Sequence, residues 1–185
     1  MRIDGTHYRS IWMEEDPGIV KVIDQRFLPF EFRILELKSS KDAFNAIADM
    51  AVRGAPLIGA TAAFGLYLAA FRSDPQHWCE EVKAAAEKLI SARPTAVNLK
   101  FAVDLLMEKV VCAASRGSMI KELFHLSIRF AEDEVLRSKK IGEHGLSLIR
   151  ECSEKLSRPV NILTHCNAGW LACIDYGTAL APIYL

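Results

Sequence analysis

Three short stretches near the start of the chain, HYRSIWM (residues 7–13), IVKVIDQ (19–25) and EFRILEL (31–37), alternate apolar and polar positions in part. Runs of this length and period predict strands. The intervening EEDPG and RFLP supply turn residues. Residues 1 to about 38 are therefore expected to form a small antiparallel sheet. From Ser39 the period lengthens. In KDAFNAIADMAV (41–52), Ala43, Ile47 and Met50 share one helical face, with Ser40 and Asp42 placed to cap it. Pro56 suits the first turn of the next helix. Further helices are expected in QHWCEEVKAAAEKLISA (76–92), in AVNLKFAVDLLMEKVV (96–111) with Thr95 as cap, and from Met119 to Leu156 with a break at Gly142 or Gly145. The type then changes. PVNILTH (159–165) is a short β-prone apolar run, CNAG (166–169) is a turn, and WLACIDYGTALAPIYL (170–185) continues as a helix. Strand, tight turn and helix form the opening unit of a parallel α/β sheet. One such unit needs neighbours, and DYGTALAPIYL (175–185) stops in mid-pattern, so a truncated second domain is expected, with a boundary near 157.

One segment tests a membrane reading. GAPLIGATAAFGLYLAAF (54–71) carries no charge, and its eighteen residues are the lower edge for a spanning helix. Pro56, Gly59, Thr61 and Gly65 interrupt it, so a helix surrounded by protein is the better reading. Lys+Arg and Asp+Glu are equal at 23 each. That balance gives no electrostatic case for nucleic acid or an anionic membrane as a partner. Five cysteines (Cys79, Cys112, Cys152, Cys166 and Cys173) are scattered without a CxxC. They make a poor disulfide framework and a poor zinc site. The start, MRIDGTHYRSIW, lacks a signal pattern, and a cytoplasmic location is expected.

Chemistry concentrates in three turns. At the end of the 159–165 strand, Cys166 is expected to face the start of a helix, whose free N–H groups favour a thiolate and bind anions. Asn167 and Gly169 suit a turn with unusual backbone angles. The alternative is an inert buried thiol, the ordinary state of a cysteine. Adjacent residues on a strand point to opposite faces, so His165 and Cys166 do not form a metal pair. A thiol hydrolase would need a histidine from elsewhere, and His7, His77, His125 and His144 are equal candidates. Arg53 and Gly54, ahead of the Ala55–Pro56 helix start, have the parts of a phosphate site. Arg93, ahead of Thr95, repeats the logic. The plain alternative is a surface charge ending a helix.

Together MAVRGAPLIGATAAFGL (50–66), ARPTAVNL (92–99), IGEHG (141–145), ILTHCNAGWLA (162–172) with YGTAL (176–180), and DQRFLP (24–29) resemble the signatures of the methylthioribose-1-phosphate isomerase family. The same superfamily includes ribose-1,5-bisphosphate and deoxyribose-1-phosphate isomerases and regulatory subunits of the eukaryotic translation-initiation exchange factor. The resemblance implies conversion of 5-methylthioribose 1-phosphate to 5-methylthioribulose 1-phosphate in methionine salvage. It implies Cys166 as the catalytic cysteine and Arg53, Gly54, Ala55 and Arg93 as substrate-binding residues. His165, Asn167 and Gly169 would support the site, with no metal and no organic cofactor. Its partner is a small sugar phosphate, and family members pair as homodimers. The implied fold is an α+β N-terminal domain over residues 1–157, a small antiparallel sheet plus a helical bundle, followed at 158–185 by the first β-α unit of an incomplete Rossmann-like domain. The family's acid/base aspartate belongs to the rest of that domain, so the 185-residue chain by itself is expected to be inactive. Trp170 and Asp175 stand where many relatives carry small residues, which leaves the group at C5 of the sugar open.

Overall fold

The structure is a computed structural model that describes residues 2–14, 16–110 and 113–185. Cys112 and the last residue of the expected 96–111 helix lie outside the described residues. A two-residue hairpin comes first, β1 (Arg2–Ile3) against β2 (Thr6–His7). Its turn residues Asp4 and Gly5 both have positive φ, the signature of the tight hairpin turns that match strand twist. The expected sheet follows as three antiparallel strands, β3 (Ile11–Met13), β4 (Val20–Ile23) and β5 (Ile34–Leu37), in the order β3-β4-β5. Ile11 faces Val22, and Val20 faces Leu37. All four side chains are buried, so the alternating pattern sets the register.

Helix α1 (Ser40–Ala48) is capped by Ser39, one residue earlier than the sequence suggested. Ser39 Oγ accepts from the Asp42 amide at 3.2 Å and donates to Asp42 Oδ2 at 2.9 Å, while the Lys38 amide donates to Asp42 Oδ2 at 3.0 Å. This reciprocal cap needs an acidic group three residues after the cap, which Asp42 supplies for Ser39 and not for Ser40. Helix α2 (Ala55–Arg72) is the uncharged segment. Every residue from Leu57 to Ala70 is buried, packed among α1, α3 (Trp78–Ser91), α4 (Val97–Val110) and α5 (Arg116–Leu156). It is a core helix, and its length and apolarity follow from having protein on all sides. Close approach depends on small residues. A Cβ on Gly65 would lie 2.7 Å from Ala43 Cβ. At the C-terminal end of α2, Arg116 donates to the Phe71 carbonyl at 2.8 Å and to Ser73 Oγ at 3.1 Å, placing a cation where helix carbonyls are left over.

Two expectations fail. Helix α5 runs unbroken for 41 residues, without a break at Gly142 or Gly145. Those glycines serve contact instead. A Cβ on Gly142 would meet Leu185 Cδ1 at 2.6 Å, and one on Gly145 would meet Pro182 Cγ at 2.4 Å. The short helix α6 (Ala181–Tyr184) lies against this small-residue patch. Residues 159–165 form no strand, and 170–185 contain only a 3₁₀ turn, Trp170–Ala172, and α6. The reason is physical: a strand exists by its ladder, and no described strand lies beside 159–165. The run Asn161–Asn167 is exposed.

Candidate active site

The site is built around the start of α2. Gly54, at φ 102° and ψ 136°, makes the turn into the helix, a conformation that residues with a Cβ avoid. It also admits a close neighbour: a Cβ here would lie 2.3 Å from Ala172 Cβ and 2.7 Å from Ala172 O. The Arg-Gly-Ala-Pro turn is thereby pressed against the segment six residues beyond Cys166. Asn98, in the first turn of α4, donates from Nδ2 to the Ala55 carbonyl at 2.8 Å. Gly59 lets the two helices approach, since its Cβ would sit 3.0 Å from Asn98 Nδ2. The N-termini of α2 and α4 therefore open side by side on one cleft of about 570 Å³, lined by Ala55, Pro56, Thr95, Asn98, Glu134, Arg137 and Thr178 among others. Buried Glu134 pairs with Arg137 on its wall. Residues from both helix N-termini line the same volume, and a helix N-terminus carries free amides and partial positive charge of the kind that suits a phosphate.

The sequence-proposed residues divide around this cleft. Ala55 lines it, and Thr95 lies on it two residues after Arg93. Arg53 is exposed and Arg93 half-exposed, and neither is among the residues that line the cleft. Cys166, His165 and Asn167 are exposed on an irregular segment, and Gly169 is half-buried. The helix start expected just beyond Cys166 is replaced by a single 3₁₀ turn. His7 and His77 are engaged by carboxylates, Asp175 at 2.8 Å and Asp74 at 3.3 Å, rather than by Cys166. Among the described residues no three His, Cys, Asp or Glu side chains group to hold a metal ion.

The unusual backbone angles fall later than expected. Gly169 has φ −85°, whereas Ile174 (φ 70°), Tyr176 (φ 63°) and Gly177 (φ 87°) lie in the left-handed region. Two consecutive three-residue turns produce them, closed by Asp175 N–H to Cys173 O at 2.7 Å and Gly177 N–H to Asp175 O at 2.8 Å. A β-branched or aromatic residue at positive φ costs roughly 1–3 kcal/mol and persists only where its surroundings hold it. Gly177 is required, because its Cβ would sit 2.7 Å from Ala168 O. Within this loop Cys173 is fully buried, and burial pushes its thiol up to about 11, with the Thr178 hydroxyl and nearby Glu134 as further influences.

Sequence reasoning singled out Asp24-Gln-Arg but missed what each residue does. Gln25 donates from Nε2 to the Leu171 carbonyl at 2.8 Å, and its amide donates to Ala51 O at 2.9 Å, so it ties the strand region to both motif segments. Buried Asp24 is held by Arg26, at 2.6 Å from Nη2 to Oδ2, which keeps its carboxyl below the usual range. The roles of Asn98 and Asp175 were equally unmarked, since each acts on a group distant in sequence.

A model of the initiation factor 2 subunit family matches residues 51–183, which include the Arg-Gly-Ala-Pro turn, the Arg93–Asn98 turn and Cys166. The chain belongs to this family. Over its full length it is 48% identical to methylthioribose-1-phosphate isomerase of Desulfatibacillum aliphaticivorans, covering 51% of that protein. It is 47% identical to the protein of the same name from Rhodospirillum centenum, covering 48%. Two solved structures superimpose closely. One is 5-methylthioribose 1-phosphate isomerase from Pyrococcus horikoshii OT3, with TM-score 0.82 and 31% identity over 95% of this chain and 48% of that one. The other is the translation initiation factor eIF-2B delta subunit from A. fulgidus, with TM-score 0.81 and 32% identity over 96% of this chain and 50% of that one. The chain spans about half the length of the curated relatives it matches. The helix-rich body with small antiparallel sheets is thus the family's architecture for this half.

Proposed function

We propose that this chain is the N-terminal part of an aldose–ketose isomerase acting on 5-methylthioribose 1-phosphate. The observation that carries the reading is the cleft shared by the α2 and α4 N-termini, in a chain whose relatives bear that enzyme's name. The phosphate binds at the paired helix starts, with the amides beyond Gly54 and the flanking Arg53 and Arg93 as its donors. Phosphate on the anomeric oxygen blocks spontaneous ring opening, so the protein assists opening and then moves hydrogen from C2 to C1. Cys166 serves the reacting carbons. The aspartate that the resemblance places with it comes from the Rossmann-like portion whose first unit is 158–185. In that setting 159–165 gains the ladder partners a strand requires. The enzyme is a cytoplasmic homodimer on this reading.

The eIF-2B delta likeness favours a second reading, a binding module without chemistry. Such a module needs neither Arg53-Gly-Ala-Pro nor Cys166-Asn-Ala-Gly, and both are present. Calorimetric titration of the purified chain with 5-methylthioribose 1-phosphate separates the two. Saturable binding is expected, weakened about tenfold or more by Arg53→Ala or Arg93→Ala and little changed by Cys166→Ser. Absence of binding refutes the placement of the phosphate site at the paired helix starts. Tighter binding of deoxyribose 1-phosphate or ribose 1,5-bisphosphate reassigns the substrate. Turnover by these 185 residues alone, followed by phosphorus NMR, refutes the need for a further aspartate.

A further inference from the structure

The loop after Cys166 is held from outside by polar anchors that come from the first 25 residues. The Ser10 amide donates to the Ile174 carbonyl at 3.0 Å, Gln25 Nε2 donates to the Leu171 carbonyl at 2.8 Å, and His7 Nε2 lies 2.8 Å from Asp175 Oδ2. The loop also carries internal hydrogen bonds, Thr178 N–H to Ala168 O at 2.9 Å and Tyr176 N–H to Asp175 Oδ1 at 2.9 Å among them. Together these bonds must hold Ile174 and Tyr176 in the left-handed region, where neither side chain rests by itself. Asp175 is the hub of the strained pair of turns. Its amide closes the first turn, its carbonyl closes the second, and its carboxylate spans Tyr176 N–H and His7. The His7–Asp175 contact forms the wall of a cavity of about 370 Å³ that Tyr176, Tyr184 and Leu185 also line. Behind it, Arg9 pairs with Glu132 of α5 and sits close enough to feel the Asp175 charge, so the N-terminal segment bridges the loop and the long helix.

We propose that His7 is a positioning residue that acts through Asp175 to hold the Ala168–Thr178 loop, and with it the backbone seat of the Arg-Gly-Ala-Pro turn at Ala172, in its strained conformation. His7, Ser10 and Gln25 all lie ahead of the family-matched residues 51–183, so this anchoring comes from outside the matched region. The bearing on turnover rests on the isomerase reading, but the test does not. Cys173 is a native reporter, because it is fully buried in the held loop, while Cys152 is exposed on α5. Iodoacetamide labelling of the folded 185-residue chain, read per cysteine by peptide mass spectrometry, gives the opening of the loop directly. His7→Ala and Asp175→Ala are each expected to raise the Cys173 labelling rate about tenfold with Cys152 unchanged. His7→Gln, which keeps a donor nitrogen at similar reach, is expected to recover most of the protection, which loss of packing alone would not explain. Cys173 labelling within about twofold of wild type in His7→Ala overturns the proposal, as does a His7→Gln rate equal to that of His7→Ala. A variant that loses helical circular dichroism along with Cys173 protection is unfolding as a whole, which also overturns a role confined to the loop.

Discussion

Gly54→Ala is the substitution whose consequence the structure fixes most tightly. Two costs apply. At φ 102° and ψ 136° a residue with a Cβ is strained by about 1–3 kcal/mol. The new methyl would also lie 2.3 Å from Ala172 Cβ, 2.6 Å from its Cα and 2.7 Å from its carbonyl oxygen, an overlap of the kind that costs about 1–3 kcal/mol where the surroundings shift. Two of those three atoms are backbone, so Ala172→Gly in the same chain does not rescue it. The sum, about 2–6 kcal/mol, is a large part of an ordinary folding stability of roughly 5–15 kcal/mol. For a domain of this size it corresponds to a fall in Tm of roughly 5–20 °C. The assay is thermal unfolding followed by helical circular dichroism, with Gly117→Ala as the control. Gly117 lies in the first turn of α5, and a methyl added there would meet nothing within 4 Å, so its replacement should be neutral or slightly stabilising. If Gly54→Ala melts within about 2 °C of the parent, the Ala172 contact does not seat the start of α2 and the reasoning is refuted.

Two further predictions use the same melting assay. Asp24→Asn removes a carboxylate held below its usual range by Arg26. A depressed folded value means that stability is present above about pH 4 and lost as pH falls through the folded value. With Arg26 partly exposed, the parent should exceed the variant by about 1 kcal/mol at pH 7, and the gap should narrow as pH falls below about 4; a gap that is unchanged between about pH 7 and about pH 2 contradicts the ion-pair origin. Ser39→Ala should cost about 1 kcal/mol by removing the α1 cap, whereas Ser40→Ala should cost less than half of that, and equal losses would return the cap to Ser40.

The division between local and distant causes decides what could be read from the residues. Caps, prolines and periodicity are local, and they located α1 to α4 and the three-stranded sheet closely, because each depends on neighbours within four positions. The core character of α2 was likewise visible, since an uncharged run broken by Pro56, Gly59 and Gly65 belongs inside protein. Glycines were ambiguous. Gly142 and Gly145 look like helix breakers, and only the presence of Leu185 and Pro182 against them makes them points of contact in an unbroken α5. The left-handed Ile174 and Tyr176 have no signal in the sequence, because intrinsic preference opposes them and only tertiary hydrogen bonds hold them.

The site shows the same split. The residues themselves determined that two arginine-led turns open helices and that a cysteine precedes an Asn-Ala-Gly turn, which is chemistry carried by residue type and spacing. The tertiary structure decided that the α2 and α4 starts share one cleft through Asn98 and Ala55, and that Gly54 rests on Ala172. It also decided that residues 7 to 25 anchor the loop beyond Cys166. Those contacts join positions 43 to 168 residues apart. No local period or propensity encodes such pairs, because the free energy that selects them arises only when the packed chain brings both partners out of water together.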